Sequence, residues 1–367
     1  MPVVAHSGLP SFDYLRQRGE EVLSLERALS QDIRELHIGL LNMMPDAALR
    51  VTEQQFIRLI GASNQIAQFY VHVFTVPGLP RSASAQAYID QYYEKFEAIR
   101  EQGLDALIIT GANIVNPTLE QEPFWEPLKE VIRWASEHVT SVLCSCLATH
   151  ALVKYLHGIE RQPLPRKQWG VYSHRITRWH PLLRGINTRF DVPHSRNNGI
   201  TPVQFRDAGL VVLAESDDVG VHMAVSEDLF RIVYFQGHPE YFINSLLKEY
   251  KREVYRYFTG ERPDFPPYPE NYFNTWAKQI MQDWWQTALP AHQRGLPLPE
   301  FPEELILPHL DNTWADTAKA ILNNWMGLVY QLTHVDRKKA FADSVDVNDP
   351  LGLRYRTVSF KRIWEDL

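Results

Sequence analysis

The sequence predicts an α/β fold, with a mostly parallel sheet that carries helices on both faces. Apolar segments of strand length alternate with segments of helical periodicity through the first 260 residues. This alternation is typical of parallel strands joined by crossover helices. Cysteine and histidine stand at the ends of two predicted strands. Because open α/β sheets place their functional sites at the carboxyl edge, we expect the site there.

Each strand is predicted from a short apolar run, and each helix from apolar residues at three- and four-residue spacing. The predicted strands are 36–42, 68–76, 106–111, 141–146, 211–214 and 230–235. The predicted helices of this region are 53–60, 127–138, 147–156 and 243–258. Proline at the start and glycine just past the end are typical helix boundaries, and Pro127 and Gly158 occupy those positions.

The amino-acid composition of the chain changes after residue 260. Two proline-rich stretches, 261–269 and 290–308, surround an aromatic helical segment, and a final helix is predicted at 315–332. We expect an α/β catalytic domain over 1–260, which includes an N-terminal arm over 1–35. Residues 261–367 are predicted to form a proline-rich and helical extension packed on the core, with no independent activity.

The bulk composition argues against several classes of protein. The chain has 367 residues, of which 45% are hydrophobic and 22% charged, as in ordinary globular proteins. A net charge of −7 argues against a general nucleic-acid binder, because phosphate binding needs a clustered basic surface. No apolar run approaches the roughly 20 residues that cross a bilayer, and no signal-peptide pattern is present. We expect a cytoplasmic protein that binds neither nucleic acid nor membrane.

The two cysteines, Cys144 and Cys146, differ in their predicted positions. Same-face neighbours in an extended segment are about 7 Å apart, which disfavours a disulfide and fits a reducing compartment. Cys144 lies inside a predicted strand and is interpreted as an inert thiol. Cys146 stands where that strand turns into a helix, which is the nucleophile-elbow position, and a helix N-terminus stabilises a thiolate. Cys146 is therefore the candidate nucleophile, with a buried structural cysteine as the alternative.

A second candidate group follows the last predicted strand of the sheet. His238-Pro239-Glu240 offers a base and a carboxylate that orients it, on a backbone that proline restricts. The triplet alone is a weak signal. The order strand, Cys146, helix, and about 90 residues later strand, His238, Glu240, is far more specific. This arrangement resembles that of class I glutamine amidotransferase-like proteins.

Two further features are candidates for substrate binding. The backbone N–H groups of Ala112, after the strand 106–111, and of Leu147 suit an oxyanion hole, although a plain strand-ending turn explains the first segment equally well. Glu249 and Arg252 stand three apart on a predicted helix. They suit the ammonium and the carboxylate of an amino acid, respectively, with a surface ion pair as the alternative.

No metal and no organic cofactor are expected. The sequence contains no zinc-type ligand spacing, no His-Glu-x-x-His, no phosphate-binding loop and no Gly-x-Gly-x-x-Gly. The 14 histidines show no grouping along the chain and are interpreted as surface or core residues.

Several segments, taken in order, resemble the homoserine O-succinyltransferase and O-acetyltransferase family of methionine biosynthesis. The matching segments are Leu41-Asn42-Met43-Met44-Pro45, Thr110-Gly111-Ala112, Val139-Thr140-Ser141, Gly170-Val171-Tyr172, Pro193-His194-Ser195-Arg196, Gly237-His238-Pro239-Glu240-Tyr241 and Asn324-Trp325. The likeness runs from residue 10 to about residue 337, and a stretch near 276–310 has the character of an insertion. So many motifs in one order argue strongly against chance.

The resemblance implies a ping-pong transfer of an acyl group from coenzyme A to the hydroxyl of L-homoserine. It implies that Cys146 carries the acyl group as a thioester, that His238 accepts the proton and that Glu240 is its partner. It also implies substrate contacts for five residues, Lys167, Ser195, Arg252, Glu249 and Arg196. Succinyl-CoA would be a co-substrate, no further cofactor would be needed, and the assembly would be a homodimer.

Val115 occupies the position linked to donor choice in the family, where glycine accompanies succinyl transfer and glutamate accompanies acetyl transfer. Valine brings no negative charge to repel the distal carboxylate of succinyl-CoA, so succinyl transfer is predicted and acetyl transfer is the alternative. Asn113 replaces a usual proline nearby. A glutamine amidotransferase or γ-glutamyl hydrolase is disfavoured because Cys144 and Ala148 stand where glycines usually flank the nucleophile. A binding protein without activity is disfavoured by the complete set of candidate groups.

Overall fold

The computed structural model describes residues 3–63 and 67–354, and its centre is a large mixed sheet. The strands, in chain order, are β1 (Val4–Ala5), β2 (Leu23–Ser24), β3 (Glu35–Leu41), β4 (Gln68–Phe74), β5 (Ala106–Ile109), β6 (Ser141–Ser145), β7 (Gln162–Ile176), β8 (Arg189–Gly199), β9 (Val211–Ser216), β10 (Gly220–Val225) and β11 (Ile232–Phe235). Nine of them form one sheet in the order β4-β3-β5-β6-β11-β10-β9-β7-β8.

The first half of this sheet is parallel and the second half is antiparallel. Strands β4, β3, β5, β6 and β11 pair in parallel, whereas β10, β9, β7 and β8 continue the sheet in antiparallel pairs. At the junction, Ser145 at the end of β6 is in register with Phe235 at the end of β11. The residues that follow these two strands therefore leave the sheet from adjacent points of the same edge.

Helices cover both faces of the sheet. They are α1 (Pro10–Gln17), α2 (Leu25–Leu29), α3 (Asp46–Ser63), α4 (Ala83–Tyr92), α5 (Phe96–Gln102), α6 (Trp125–His138), α7 (Leu147–His157), α8 (Pro202–Asp207), α9 (Ser245–Phe258), α10 (Thr275–Gln293), α11 (Glu303–Ile306) and α12 (Ala315–Leu332). Successive residues of β5 alternate between the two faces: Ile108 joins the core under α1, α3 and α12, whereas Leu107 and Ile109 join the core under α6, α7 and α8. Each such fully buried side chain stabilises the fold by about 1.5–3 kcal/mol.

The segment after α9 has two different packing arrangements. Helices α10 and α11 share a third, aromatic core with α9 and β7, in which Trp169 and Tyr250 meet Trp284 and Phe301. Helix α12 instead packs on the sheet itself through Trp325, whose indole N–H donates to the Ser141 hydroxyl at 2.8 Å. The last part of the predicted extension, 355–367, lies outside the described residues.

The N-terminal arm adds a small parallel pair at the β4 edge of the sheet. Strand β1 pairs with β2, and Val3 forms a parallel bridge with Phe69 of β4. His6 follows β1 directly, so the arm places this side chain against the edge strand.

The α/β fold with helices on both faces is confirmed, and several predicted boundaries agree with the structure. Helix α12 has the predicted bounds, and α7 is capped by Gly158, whose φ of 68° is the left-handed cap conformation. The sheet is more mixed than predicted, because three of its antiparallel strands, β7, β8 and β10, were not predicted. The first half of β7 is largely exposed and carries Pro163 and Pro165. Among the described residues, no helix combines the length and the hydropathy needed to span a bilayer.

Candidate active site

Cys146 lies at a sharp turn between β6 and α7. Its φ and ψ are 52° and −109°, and a positive φ is unusual for a residue other than glycine. The turn is held by the backbone, since the Cys146 N–H donates to the Phe235 carbonyl at 2.8 Å. The thiol is partly exposed at the N-terminus of α7, whereas Cys144 is buried inside β6. The structure therefore gives the two cysteines the different settings that were predicted, and both are free thiols.

His238 and Glu240 follow the neighbouring parallel strand, β11. The His238 Nδ1 atom lies 2.8 Å from Glu240 Oε1, and both residues are buried. The His238 N–H donates to the Pro193 carbonyl of β8 at 2.7 Å. Gly237 permits this close approach, because a Cβ there would lie 2.6 Å from the Val192 side chain. The backbone at His238 is thus held between two strands, and the Glu240 carboxylate orients the imidazole ring.

The electrostatics of this pair favour a charged imidazole. Burial lowers the pKa of His238, but the negative charges of Glu240 and Cys146, together with hydrogen bonds to both, raise it well above its ordinary value. The Ser145 hydroxyl donates to Glu240 Oε1 at 3.4 Å. The ring of Tyr241 stacks on His238 with centroids 4.5 Å apart. The surroundings of His238 therefore favour the protonated form of its ring.

Ala112 and Leu147, the two predicted oxyanion donors, line one pocket together with Cys146. A Cβ on Gly111 would lie 3.8 Å from Cys146 Cβ and 3.8 Å from the Leu147 nitrogen, so the end of β5 faces the elbow. Leu147 is the first residue of α7, and its amide has no carbonyl partner four residues earlier in the helix. Ala112 follows Gly111 and lines the same pocket. Both predicted oxyanion donors therefore lie beside the nucleophile.

A pocket of about 340 Å³ opens directly onto Cys146, and we call it the nucleophile pocket. Two arginines line it, Arg161 and Arg196. The buried Arg196 guanidinium donates to the carbonyls of Asn198 (2.9 Å) and Val219 (2.6 Å) and to the His194 ring (3.2 Å). Burial lowers its pKa to about 10, which leaves it charged. Arg196 is thus committed to the protein framework.

Arg161 differs from Arg196 in having its donors free. Within the described part of the chain it forms no hydrogen bond and no ion pair, although it is half-buried beside Cys146. Burial lowers the pKa of its guanidinium, and the negative charges on Cys146 and Glu122 oppose that shift. A free, partly desolvated guanidinium in this pocket suits a carboxylate of a bound substrate.

Three of the predicted substrate contacts meet in one cluster around Glu249. The Ser195 hydroxyl and the Lys167 ammonium reach Glu249 Oε2 at 2.6 and 3.4 Å, and the Tyr241 hydroxyl reaches Oε1 at 2.8 Å. Burial alone would raise the pKa of Glu249, but Lys167 and the two hydroxyl donors lower it. Because Tyr241 also stacks on His238, this cluster is linked to the candidate base through one side chain.

A larger cleft of about 1020 Å³ adjoins the nucleophile pocket, and Asn113 and Asn197 line both. Arg252 lines this cleft with its side chain 56% exposed and only a long contact of 3.4 Å to Glu253. It is therefore available to a ligand. The cleft is also lined by four basic residues, Arg166, Lys167, Arg256 and Arg262, and by Glu253 and Glu270, which form ion pairs with the three arginines.

Val115 lies at the rim and not in the wall. Its side chain is 76% exposed, whereas Asn113, Ile114 and Asn116 line the nucleophile pocket. Glu122 holds this loop by accepting the N–H groups of Val115 and Asn116, each at 2.7 Å. A side chain at 115 can therefore act on the pocket only from its edge.

The sequence reasoning missed two residues of the site. Arg161 lies in a short basic stretch before β7 that has the composition of a solvated loop, and no sequence signal separates it from Arg166. Tyr241 stands directly after the His238–Glu240 segment, and the sequence assigns it no role of its own. Its adjacency to the predicted base was the one available signal.

The fold is α/β, and Cys146, His238 and Glu240 follow two adjacent parallel strands at one edge of its sheet. A solved glutamine amidotransferase from Thermotoga maritima overlaps 81% of this chain and 98% of its own with a TM-score of 0.45 and 11% identity. A family profile described as homoserine O-succinyltransferase matches residues 2–335. The homoserine O-succinyltransferase of Methylobacter tundripaludum is 62% identical over 96% of this chain and 100% of its own, and that of Nitrosococcus oceani is 60% identical over 97% and 100%. The chain belongs to the homoserine O-succinyltransferase family.

Proposed function

We propose that this protein transfers a succinyl group from succinyl-CoA to the side-chain hydroxyl of L-homoserine through a thioester on Cys146. The observation that carries the proposal is the buried His238–Glu240 pair beside an elbow cysteine, in a member of this family. Full-length relatives named for this activity support the choice of both substrates.

The first half-reaction uses the thiolate–imidazolium pair directly. The Cys146 thiolate attacks the thioester carbonyl of succinyl-CoA, and the amides of Ala112 and Leu147 stabilise the oxyanion. The carbon–sulfur bond to coenzyme A then breaks, and the leaving thiolate takes the proton from His238. One thioester replaces another, so the step is close to thermoneutral and the succinyl group is stored on Cys146.

Acylation prepares His238 for its second role. The thioester sulfur carries no charge, so one of the two negative charges that raise the pKa of His238 is removed. Neutral His238 accepts the proton of the homoserine hydroxyl as the oxygen attacks the thioester carbonyl. The bond to Cys146 breaks, O-succinylhomoserine leaves, and the thiolate–imidazolium pair is restored.

Homoserine is proposed to enter from the larger cleft. Arg252 would bind its carboxylate, because this guanidinium lines the cleft and has only one long contact. Lys167, Ser195 and Glu249 form one hydrogen-bonded cluster, in which Glu249 already accepts three donors. An ammonium group would replace or join the Lys167 donor there. Arg196 would act by holding the pocket wall in place.

The choice of donor is proposed to depend on Arg161. The distal carboxylate distinguishes succinyl-CoA from acetyl-CoA, and Arg161 is a cation of the nucleophile pocket that has no partner among residues 3–63 and 67–354. Val115 would modify the preference only from the rim. Acetyl transfer would leave this guanidinium desolvated and unpaired, which is why the succinyl donor is favoured.

Steady-state kinetics test the two-step scheme. Initial rates measured while both substrates are varied should give parallel double-reciprocal lines, with O-succinylhomoserine as the product identified by mass spectrometry. Intersecting lines, or a product other than this ester, would contradict the scheme.

Free Cys144 and Cys146 support a reducing, cytoplasmic location. A homodimer is proposed as the assembly, which light scattering after gel filtration would test.

A further inference from the structure

Three potential metal ligands meet at the β4 edge of the sheet, away from the active site. His6 comes from the N-terminal arm, His72 from β4 and Glu94 from the segment between α4 and α5. One ligand atom from each lies within 4.8 Å of the others. The sequence gives no sign of this cluster, because its members are far apart along the chain and only the fold brings them together.

The hydrogen bonds around His72 fix where its proton lies. Glu35 Oε2 accepts from His37 Nε2 at 3.1 Å, so the other nitrogen of a neutral His37 ring, Nδ1, is an acceptor. His72 Nε2 lies 2.8 Å from that Nδ1 and must donate to it. A neutral His72 then has its lone pair on Nδ1. That nitrogen lies only 2.7 Å from Glu94 Oε1, which is also an acceptor.

His6 adds a third acceptor to the same place. Its Nδ1 atom lies 3.1 Å from the Val4 carbonyl, so Nδ1 carries the proton and Nε2 carries the lone pair. His6 Nε2 is buried and has no hydrogen-bond partner among the described residues. The ring centroids of His6 and His72 lie 4.9 Å apart. Two nitrogen lone pairs and a carboxylate oxygen therefore converge, and no donor from residues 3–63 or 67–354 lies between them.

We propose that His6, His72 and Glu94 bind a divalent transition-metal ion of the zinc type, with a water as fourth ligand. Two imidazole nitrogens and one carboxylate suit zinc, whereas magnesium and calcium prefer oxygen ligands. The two histidines also have the outer partners that metal-bound histidines need: the Val4 carbonyl for His6, and the His37–Glu35 pair for His72. The proposal replaces the expectation, from sequence spacing, that the protein binds no metal.

The ion would join three separate parts of the chain. The arm contacts β4 through the bridge between Val3 and Phe69, and the Glu94 N–H donates to the Val73 carbonyl at 2.8 Å. A metal bound across His6, His72 and Glu94 would therefore tie the arm and the segment after α4 to the edge strand. Because only the folded chain brings these ligands together, the ion should stabilise the fold.

Zinc titration of the full-length protein tests the site. Protein stripped with EDTA and dialysed should bind one equivalent of Zn²⁺ by isothermal titration calorimetry, and its melting temperature should rise with added Zn²⁺. His6→Gln and Glu94→Gln each remove one metal ligand. Each should weaken Zn²⁺ binding at least about tenfold, because even the loss of an outer partner of a ligand costs about that much. His157→Gln is the matched control, because His157 is an exposed histidine at the end of α7 and should leave the titration unchanged.

The alternative is that His72 is simply protonated and donates to Glu94. In that event the stripped protein would bind no stoichiometric Zn²⁺, or His6→Gln would bind it as the unaltered protein does, and the proposal would be overturned. Cobalt gives a second readout that does not depend on how stable the variants are. Co²⁺ bound to the unaltered protein should show the intense visible absorption of a four-coordinate site, whereas the weak spectrum of hydrated Co²⁺ would contradict the assignment.

Discussion

Replacement of Arg161 by methionine should convert the protein from a succinyl-CoA enzyme into one that scarcely discriminates between succinyl-CoA and acetyl-CoA. Methionine keeps the length and the apolar stem of the side chain but removes the guanidinium. The change leaves Cys146, His238 and the homoserine cleft untouched. It therefore isolates the contact that we propose for the distal carboxylate of the donor.

The size of the effect follows from the setting of Arg161 in the structure. Two unit charges about 4 Å apart interact by about 4 kcal/mol at an effective dielectric constant near 20. Desolvation of both groups reduces this, and hydrogen bonds to charged groups contribute about 1.5–3 kcal/mol in mutational data. The guanidinium is half-buried and has no hydrogen-bond or ion-pair partner in the part of the chain that the structure describes, so we expect a value in that range. Since 1.4 kcal/mol corresponds to a factor of ten, kcat/KM for succinyl-CoA should fall about 10- to 150-fold.

The assay compares kcat/KM for succinyl-CoA and acetyl-CoA at saturating homoserine. The value for acetyl-CoA should be unchanged or somewhat higher in Arg161→Met, because no carboxylate is lost from that complex. Arg206→Met is the control, since Arg206 is an exposed arginine in the last turn of α8. An equal loss of kcat/KM for both donors would show that Arg161 supports the pocket without contacting the distal carboxylate, and it would contradict the proposed role of Arg161.

Three other changes test separate parts of the site and the fold. Glu240→Gln should lower the pKa of His238, so the basic limb of the pH–rate profile for acylation should move to lower pH. The same change should slow acylation at least about 100-fold. An unchanged pH–rate profile would count against the proposed His238–Glu240 pair. Ile114 lines the nucleophile pocket, whereas Val115 is exposed at its rim. Ile114→Glu should therefore shift the donor preference towards acetyl-CoA more than Val115→Glu does. The reverse order would assign the control of donor choice to Val115. Burial lowers the pKa of His180 to about 4, so the neutral form is favoured by folding and its contribution to stability is lost as pH falls from 6.5 towards 4. Between pH 6.5 and 5 the free energy of unfolding of the unaltered protein should therefore fall by about 1.6 kcal/mol more than that of His180→Gln, measured by urea titration. Superimposable pH curves for the two proteins would refute this.

The parts of the site that could be predicted are those set by local sequence. A strand that turns into a helix at Cys146, and a second strand that ends before His238, are both visible as short apolar runs. The sequence order of these elements then indicated that the two side chains meet. The structure explains why, because β6 and β11 are adjacent and parallel and end in register.

The parts that could not be predicted depend on contacts between distant segments. Arg161 and Arg196 are equivalent by composition, and only tertiary contacts show that Arg196 is bound by Asn198, Val219 and His194 while Arg161 is not. The β7–β8 hairpin was missed because half of β7 is exposed and lacks an alternating apolar pattern. The histidines likewise appear scattered in sequence and are grouped only by the fold.

Intact-protein mass spectrometry after incubation with succinyl-CoA alone tests the central claim most directly. The unaltered protein and Cys144→Ala should each gain one succinyl group, and added homoserine should remove it. Cys146→Ala should remain unlabelled. A succinyl adduct that persists in Cys146→Ala, or one that homoserine does not discharge, would contradict the covalent mechanism.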